Sequence, residues 1–178
     1  MPDMRLMLLR HAKAEKAEAG ANDHARRLNA RGVSDTALIG AYLARHDLIP
    51  AAAMVSTAAR TRQTWERLAA ALPTAPPVTF EERLYNAGAQ AILTLVQATA
   101  PKLRSLLVIA HNPGMHDLAR LLIAAGDVEA RERLNENLPT AGLAVIDFAA
   151  DGWRKVRPQG GRLERFVSPR TLAEAHRV

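Results

Sequence analysis

Short apolar runs, each cut off by polar residues, are the strongest pattern along this chain. Met4 to Leu9 ends at Arg10-His11-Ala12-Lys13, Ala51 to Val55 at Ser56-Thr57, and Leu106 to Ala110 at His111-Asn112-Pro113-Gly114. Runs this short, bounded by polar residues and turn formers, predict buried strands. Between them apolar residues recur at helical spacing. Asn29 is placed to cap a helix running to about His46, with Val33, Ala37, Gly40, Ala41 and Ala44 along one face. A second helix is expected from about Ala58 to Leu72, before the breaker segment Pro73 to Pro77. Ala89, Ile92, Leu93, Val96 and Ala100 mark a third helix, stopped by Pro101. Met115, Leu118, Ala119 and Leu122 mark a fourth, closing near Gly126.

Weaker signals complete the outline. Ala14 to Asn22 reads as an exposed loop beside the end of the first strand, and Val78-Thr79-Phe80 as a short strand leading into the acidic pair Glu81-Glu82. Leu143 to Phe148 and Trp153 to Val156 read as strands joined by the hairpin signal Asp151-Gly152. Leu163 to Val167 is another strand candidate, and Pro169 precedes a short C-terminal helix. Strands alternating with helices predict an α/β fold of three layers, α/β/α. Its central sheet is expected to be mostly parallel and covered on both faces, with an antiparallel hairpin at one edge. With neither a repeat nor a linker in sight, residues 1–178 are expected to form a single domain.

Composition narrows the function classes. No cysteine is present, which removes disulfides, thiolate metal sites and cysteine nucleophiles. No apolar run approaches membrane-spanning length and no signal segment opens the chain, so a cytoplasmic protein with no membrane association is expected. The net charge of +6 favours anionic partners. Aromatics are only 4% of the chain, too few for a base-stacking surface, so no nucleic acid is expected as partner.

The strand ends carry the chemistry. If the three buried strands are parallel neighbours, Arg10, His11, Ser56, Arg60 and His111 converge at one sheet edge, where open α/β sheets bind their ligands. Helix N-termini and guanidinium forks both suit tetrahedral oxyanions, so a phosphoryl group is the expected ligand. An unprotonated imidazole there is a competent nucleophile at neutral pH. One histidine would attack phosphorus in line, while the arginines and the second histidine neutralise the equatorial oxygens. No metal and no cofactor is called for.

These residues resemble the histidine phosphatase superfamily, whose signature is Arg-His-Gly, then Ser-x-x-x-Arg-x-x-Gln-Thr, then a late histidine after a strand. Here they read Leu9-Arg10-His11-Ala12, Ser56-Thr57-Ala58-Ala59-Arg60-Thr61-Arg62-Gln63-Thr64 and Ile109-Ala110-His111-Asn112. More narrowly the chain is similar to the small SixA-like phosphohistidine phosphatases. The short length, Arg26-x-Leu28 with Gly32, Leu84-Tyr85-Asn86, His111-Asn112-Pro113-Gly114 and Pro139-Thr140-Ala141 carry that likeness. The resemblance implies the phosphoglycerate-mutase-like fold and His11 as the residue phosphorylated in the intermediate. It also implies a phosphate pocket of Arg10, Arg60 and His111. Ala12 departs from the wider pattern, which has glycine there. Larger relatives carry a glutamate proton donor, which corresponds here to Glu82 in Glu82-Arg83-Leu84-Tyr85-Asn86.

The candidate catalytic residues are therefore His11, Arg10, Arg60, His111 and Glu82. Arg10, Arg60, His111, Lys13 and Asn112 are the candidates for holding substrate. Lys13 fits the phosphate or the charged loop equally well, Arg26 the substrate or a structural salt bridge, and Asn112 a ligand or a helix cap. Arg62 is expected on a solvated face, and Thr140 in a turn. His24, His46, His116 and His176 have no evident partner and read as surface residues, and Trp65 and Trp153 read as packing. The expected substrate is a phosphorylated protein, such as one carrying phosphohistidine, or a small phosphorylated molecule. Mutase activity, a non-catalytic phosphate- or partner-binding module, and a nucleic-acid-binding protein are the alternatives. The oligomeric state is not legible.

Overall fold

The computed structural model describes residues 3–175, so the expectation for His176 lies outside the described residues. The three apolar runs form strands β1 (Met4–Arg10), β2 (Ala52–Ser56) and β4 (Ser105–Ala110), with β3 (Val78–Glu81) between the last two in the chain. Strands β5 (Ile123–Gly126), β6 (Leu143–Phe148) and β7 (Gly161–Val167) complete a seven-stranded sheet of order β3-β2-β4-β1-β6-β7-β5. β2, β4 and β1 are contiguous and mutually parallel, as the convergence of their ends requires.

Alternation along the central strands splits the core in two. Met4, Leu6 and Leu8 of β1, Leu106, Val108 and Ala110 of β4, and Ala144, Ile146 and Phe148 of β6 point to one face. Met7 and Leu9, Leu107 and Ile109, and Leu143 and Val145 point to the other. Helices α3 (Ala89–Gln97), α4 (Gly114–Leu122) and α5 (Val128–Glu136) cover the first face. Helices α1 (Ala30–Arg45), α2 (Ala59–Ala70) and α6 (Pro169–Ala175) cover the second. Strands buried on both faces have no polar side to show, which is why these runs are continuously apolar. Each fully buried leucine or isoleucine contributes about 1.5–3 kcal/mol, so the ends of β1, β2 and β4 are firmly held.

Three expectations are corrected. Trp153–Lys155 is a 3-10 turn, not a strand, and Asp151-Gly152 joins no hairpin. The indole of Trp153 is fully buried and donates to the Leu103 carbonyl at 2.6 Å, an anchor that an edge strand would not supply. β6 lies inside the sheet, antiparallel to both β1 and β7, and β5 pairs parallel to β7 outside it, so β6 is the one strand among the described residues running against the others. The fourth helix stops at Leu122, before Gly126, because Ile123–Gly126 extends to close that sheet edge. In α1 the buried face is Gly32, Asp35, Thr36, Ile39, Gly40, Tyr42 and Leu43, whereas Ala37 and Ala41 are exposed. Asn29 does cap this helix, accepting from the Gly32 amide at 2.8 Å. Gly32 is required there: a Cβ would collide with the Lys13 carbonyl, where the chain leaving β1 crosses the helix start.

Candidate active site

The C-terminal ends of β1, β4 and β2 open into a cleft of about 440 Å³ lined by Arg10, His11, Arg60 and His111, with Lys13 and Asn112 at its margin. Register explains the juxtaposition. Arg10 pairs with Ala110 across β1 and β4, so the next residues, His11 and His111, leave the sheet side by side with ring centroids 5.3 Å apart. Both rings are buried, as is Arg60 in the first turn of α2.

The segment around His11 is tied down on all sides. The Ala141 amide donates to the carbonyls of both Arg10 and His11, at 3.0 and 3.1 Å. Ala141 does so in the left-handed region, φ 56°, so Pro139-Thr140-Ala141 is a shaped clamp rather than a plain turn. The Ala12 amide donates to the Thr64 hydroxyl at 3.1 Å, and that hydroxyl donates to the Arg60 carbonyl at 2.7 Å. Gln63 accepts from the Leu28 amide at 2.8 Å. The Gln-Thr pair is thus scaffold, fastening β1 and the following loop to α2. Ala12 itself is fully buried against the α1–α2 core.

Protonation follows from partners. The His11 Nδ1 lies 2.7 Å from the Ala12 carbonyl oxygen, which can only accept. Nδ1 therefore carries the hydrogen, and Nε2 is left with its lone pair. Burial, and then the charges of Arg60, Arg10 and Arg26, lower the His11 pKa to about 4. Burial and the neighbouring His11 and Arg60 lower that of His111 to about 3. Both rings are neutral at pH 7. Arg10 donates from Nη1 to the Leu138 carbonyl at 3.2 Å, leaving its Nε buried and without a partner among the described residues. The Arg60 Nε and the His111 Nδ1 are in the same state. Buried donors without acceptors are costly and rare in folded proteins. Two such donors and the unpartnered His111 Nδ1, on residues that line one cleft with His11, suit a multiply charged oxyanion.

Comparison with known proteins now fixes the family. Residues 6–89 match the sequence profile of the histidine phosphatase superfamily, branch 1. An uncharacterised protein of Mycobacterium tuberculosis H37Rv is 34% identical, over 91% of this chain and 100% of that one. The structure of the provisionally assigned phosphohistidine phosphatase SixA from Agrobacterium tumefaciens is 32% identical with TM-score 0.78, covering 94% of this chain and 99% of that one. A protein histidine phosphatase SixA complexed with tungstate shares the fold at 22% identity and TM-score 0.75, over 95% and 99% of the two chains. The chain belongs to the histidine phosphatase superfamily. It falls in the SixA-like group, and phosphatase activity comes with the family.

Set in that family, the remaining candidates sort by what they touch. Asn112 spends both ends of its amide on the scaffold, donating to the Leu138 carbonyl at 2.9 Å and accepting from the His116 amide at 3.2 Å. Lys13 is exposed at the cleft margin, and Thr140 also lines the cleft. Arg26 lines it while bonded to Asp23 and the Glu15 carbonyl. Glu82 opens the 3-10 turn Glu82–Leu84, is exposed, and does not line the cleft. Arg62 is half-buried rather than solvated, its guanidinium 4.1 Å from the centroid of the Phe80 ring. Two histidines expected to lack partners have them: His24 meets the Thr57 hydroxyl at 2.9 Å and His116 the Leu134 carbonyl at 2.6 Å.

Sequence reasoning missed Asp23. It sits in the 3-10 turn Asp23–Ala25, and its backbone carbonyl and carboxylate accept from Arg60 Nη1 and Nη2 at 2.9 and 3.1 Å. Its carboxylate also accepts from the Tyr85 hydroxyl at 2.6 Å. Tyr85, in turn, stands edge-on to His111, centroids 5.5 Å apart. That hydroxyl first, then Arg26 and Arg60, hold the Asp23 carboxyl well below the usual carboxylate range. The one available signal was the neighbouring Asn22-Asp23, a turn-forming pair just before Arg26.

Proposed function

We propose that this chain is a phosphatase that works through a phospho-His11 intermediate and takes phosphohistidine on a protein in preference to alkyl phosphomonoesters. The observation that carries the reading is the set of three buried nitrogens without a partner among the described residues, Arg10 Nε, Arg60 Nε and His111 Nδ1, on residues that line one cleft with His11, whose Nε2 lone pair is free. In the first step Nε2 attacks phosphorus and forms the N–P bond while the bond to the leaving group breaks. Arg10 and Arg60 stabilise charge on the equatorial oxygens, which is electrostatic preorganisation in place of a metal. The Nδ1–H of His11 stays on the Ala12 carbonyl, so positive charge that develops on the ring is held by a neighbouring dipole. Water then attacks phosphorus, releases phosphate and returns the ring to its neutral form.

The leaving group selects the substrate. An alkoxide needs a proton as it departs, and no acid among the described residues is held in place at the cleft: Glu15 lines it but is exposed, with no hydrogen bond to orient its carboxylate. Asp23 is held ionised by Tyr85, Arg26 and Arg60, and Glu82 is outside. An imidazole leaving group takes its proton from solvent on the ring nitrogen remote from phosphorus, before transfer, and so departs as neutral imidazole without an acid in the cleft. The cleft is also open to a side chain borne on another protein, since the loop Ala14 to Asn22 lies beside it with mostly exposed residues.

The test is mass spectrometry after denaturation at alkaline pH, where the N–P bond survives, on protein mixed with phosphoramidate. A phosphoryl adduct on His11, absent in His11→Ala, is expected, with release of phosphate by the wild type alone. Equal phosphate release by His11→Ala would overturn the covalent mechanism. No adduct and no release from the wild type, with inorganic phosphate still bound, would leave a binding module.

A further inference from the structure

Ser56 ends β2 and is fully buried, yet its hydroxyl has one side-chain partner among the described residues, the Nε2 of His111 at 2.7 Å. We infer that Ser56 is a positioning residue that fixes His111 in the Nδ1–H tautomer, so that this ring offers a hydrogen, not a lone pair, to the phosphoryl oxygens. The inference rests on the phosphatase reading for its use, but not for its geometry.

Counting hydrogens decides the direction of the bond. A hydroxyl has one hydrogen to donate, and a neutral imidazole has one N–H and one lone pair. If Ser56 donates to Nε2, the ring hydrogen sits on Nδ1, the buried nitrogen that has no partner. That hydrogen then waits for an acceptor from the ligand. In the reverse arrangement Nε2–H donates to the Ser56 oxygen, and two faults appear. The serine hydrogen is orphaned on a fully buried side chain, and the Nδ1 lone pair is left to face an anion. Among the described residues the Ser56 hydroxyl has no hydrogen-bond partner other than His111 to take that hydrogen. The ring cannot escape by tilting, because Tyr85 stands edge-on at 5.5 Å on one side and His11 lies at 5.3 Å on another.

The two histidines thereby share a tautomer and divide the work. In His11 the Nδ1–H is spent on the Ala12 carbonyl, which exposes the Nε2 lone pair as nucleophile. In His111 the Nε2 lone pair is spent on Ser56, which exposes Nδ1–H as donor. A second nucleophile of equal reach would compete for phosphorus. The serine prevents this by keeping the ring hydrogen on Nδ1, so that no lone pair of this ring faces phosphorus. It also supplies a donor that carries no charge, so the pocket gains a phosphate contact without another buried cation.

The tautomer is read directly by long-range proton–nitrogen correlation on the 15N-labelled full chain at neutral pH, with His111→Gln used to assign the ring. The wild type is expected to show a protonated Nδ1 and an unprotonated Nε2 at His111. Ser56→Ala is expected to lose that pattern and to bind inorganic phosphate about tenfold more weakly, the loss of roughly one hydrogen bond to a charged group. Ser56→Thr, which keeps the hydroxyl, is expected to keep both. A wild-type His111 protonated on Nε2 overturns the inference with no variant needed, and so does an unchanged tautomer in Ser56→Ala. A wild type with the expected tautomer that never forms phospho-His11 upholds the assignment and overturns the phosphatase reading instead.

Discussion

Removing the Asp23 carboxylate is the sharpest test of how Arg60 is held. In Asp23→Ala, Arg60 Nη2 loses an acceptor at 3.1 Å, the Tyr85 hydroxyl one at 2.6 Å and Arg26 contacts at 3.1 and 3.3 Å. A hydrogen bond to a charged group is worth about 1.5–3 kcal/mol net. The Asp23 side chain is 47% exposed, so water replaces much of what Tyr85 and Arg26 lose, and the effect on stability is small. Arg60 is different. Its side chain is only 6% exposed, and its remaining anchor is the Asp23 backbone carbonyl at 2.9 Å. Loosening the guanidinium by about 1–2 kcal/mol in the transition state lowers kcat/KM about 5- to 30-fold. An opposing effect acts on the ground state, since deleting a carboxylate beside an anion site favours anion binding. The loss is therefore expected in kcat, with KM steady or lower. The assay is steady-state hydrolysis of phosphoramidate by wild type, Asp23→Ala and Asp23→Asn at fixed pH and salt. Asparagine keeps an oxygen for Arg60 and is expected within about threefold of wild type. A kcat/KM for Asp23→Ala equal to or above wild type would refute the argument, because Asp23 would then only repel substrate.

Three further outcomes follow from the same geometry. Gly32→Ala sets a methyl against the Lys13 carbonyl and is expected to cost about 2–3 kcal/mol, a fall of roughly 5–10 °C in Tm by calorimetry; an unchanged Tm refutes the close approach. The His11 ring is expected to titrate by NMR near pH 4 rather than 6.5. The unfolded ring binds its proton at the higher value, so stability rises with pH between about 4 and 6.5 and is lost on acidification through that window. A midpoint at 6.5 would mean that burial does not govern the ring. Glu82→Gln is expected to leave phosphoramidate hydrolysis within about twofold of wild type, because the residue is outside the cleft; a large fall in kcat would make it the proton donor.

How much of this was legible in the chain depended on whether a residue sat at the end of a periodic segment. His11, Ser56, Arg60 and His111 follow buried strands whose apolar runs are unmistakable, and parallel pairing brings such ends together. Asp23 had no such address. It lies in an irregular exposed stretch, and what places it over Arg60 is tertiary: the Ala14–Leu28 bridge and the Asn29-to-Lys13 backbone bond. The inner face of α1 was misread for a related reason. Close approach of the Lys13 carbonyl demands glycine at position 32 and tolerates Thr36 beneath it, so the buried stripe is partly non-apolar, while Ala37 and Ala41 on the outer side imitate one. β5 follows α4 without a breaker, so only pairing with β7 reveals it. Trp153 looked like a strand residue because Asp151-Gly152 reads as a hairpin turn just before it, yet its buried indole settles the local geometry.

The cleft solves a conflict between charge and nucleophilicity. A phosphate pocket wants cations, but cations beside an imidazole, like burial, disfavour its protonated form. Here that works for the proposed chemistry, in which the neutral ring is the nucleophile, since burial and the arginines together hold it neutral far below pH 7. The cost falls on the arginines, which lose hydration. Each recovers only part of it through fixed acceptors: the Leu138 carbonyl for Arg10, and Asp23 for Arg60. What remains unsatisfied, one Nε on each, is what the phosphoryl group completes. Binding energy is thus concentrated on the oxygens where charge spreads during transfer, while the leaving group meets no positioned acid. A site with this division favours substrates whose leaving group needs no help. On the proposed mechanism, a preference for an N–P bond follows from the same residues that hold His11.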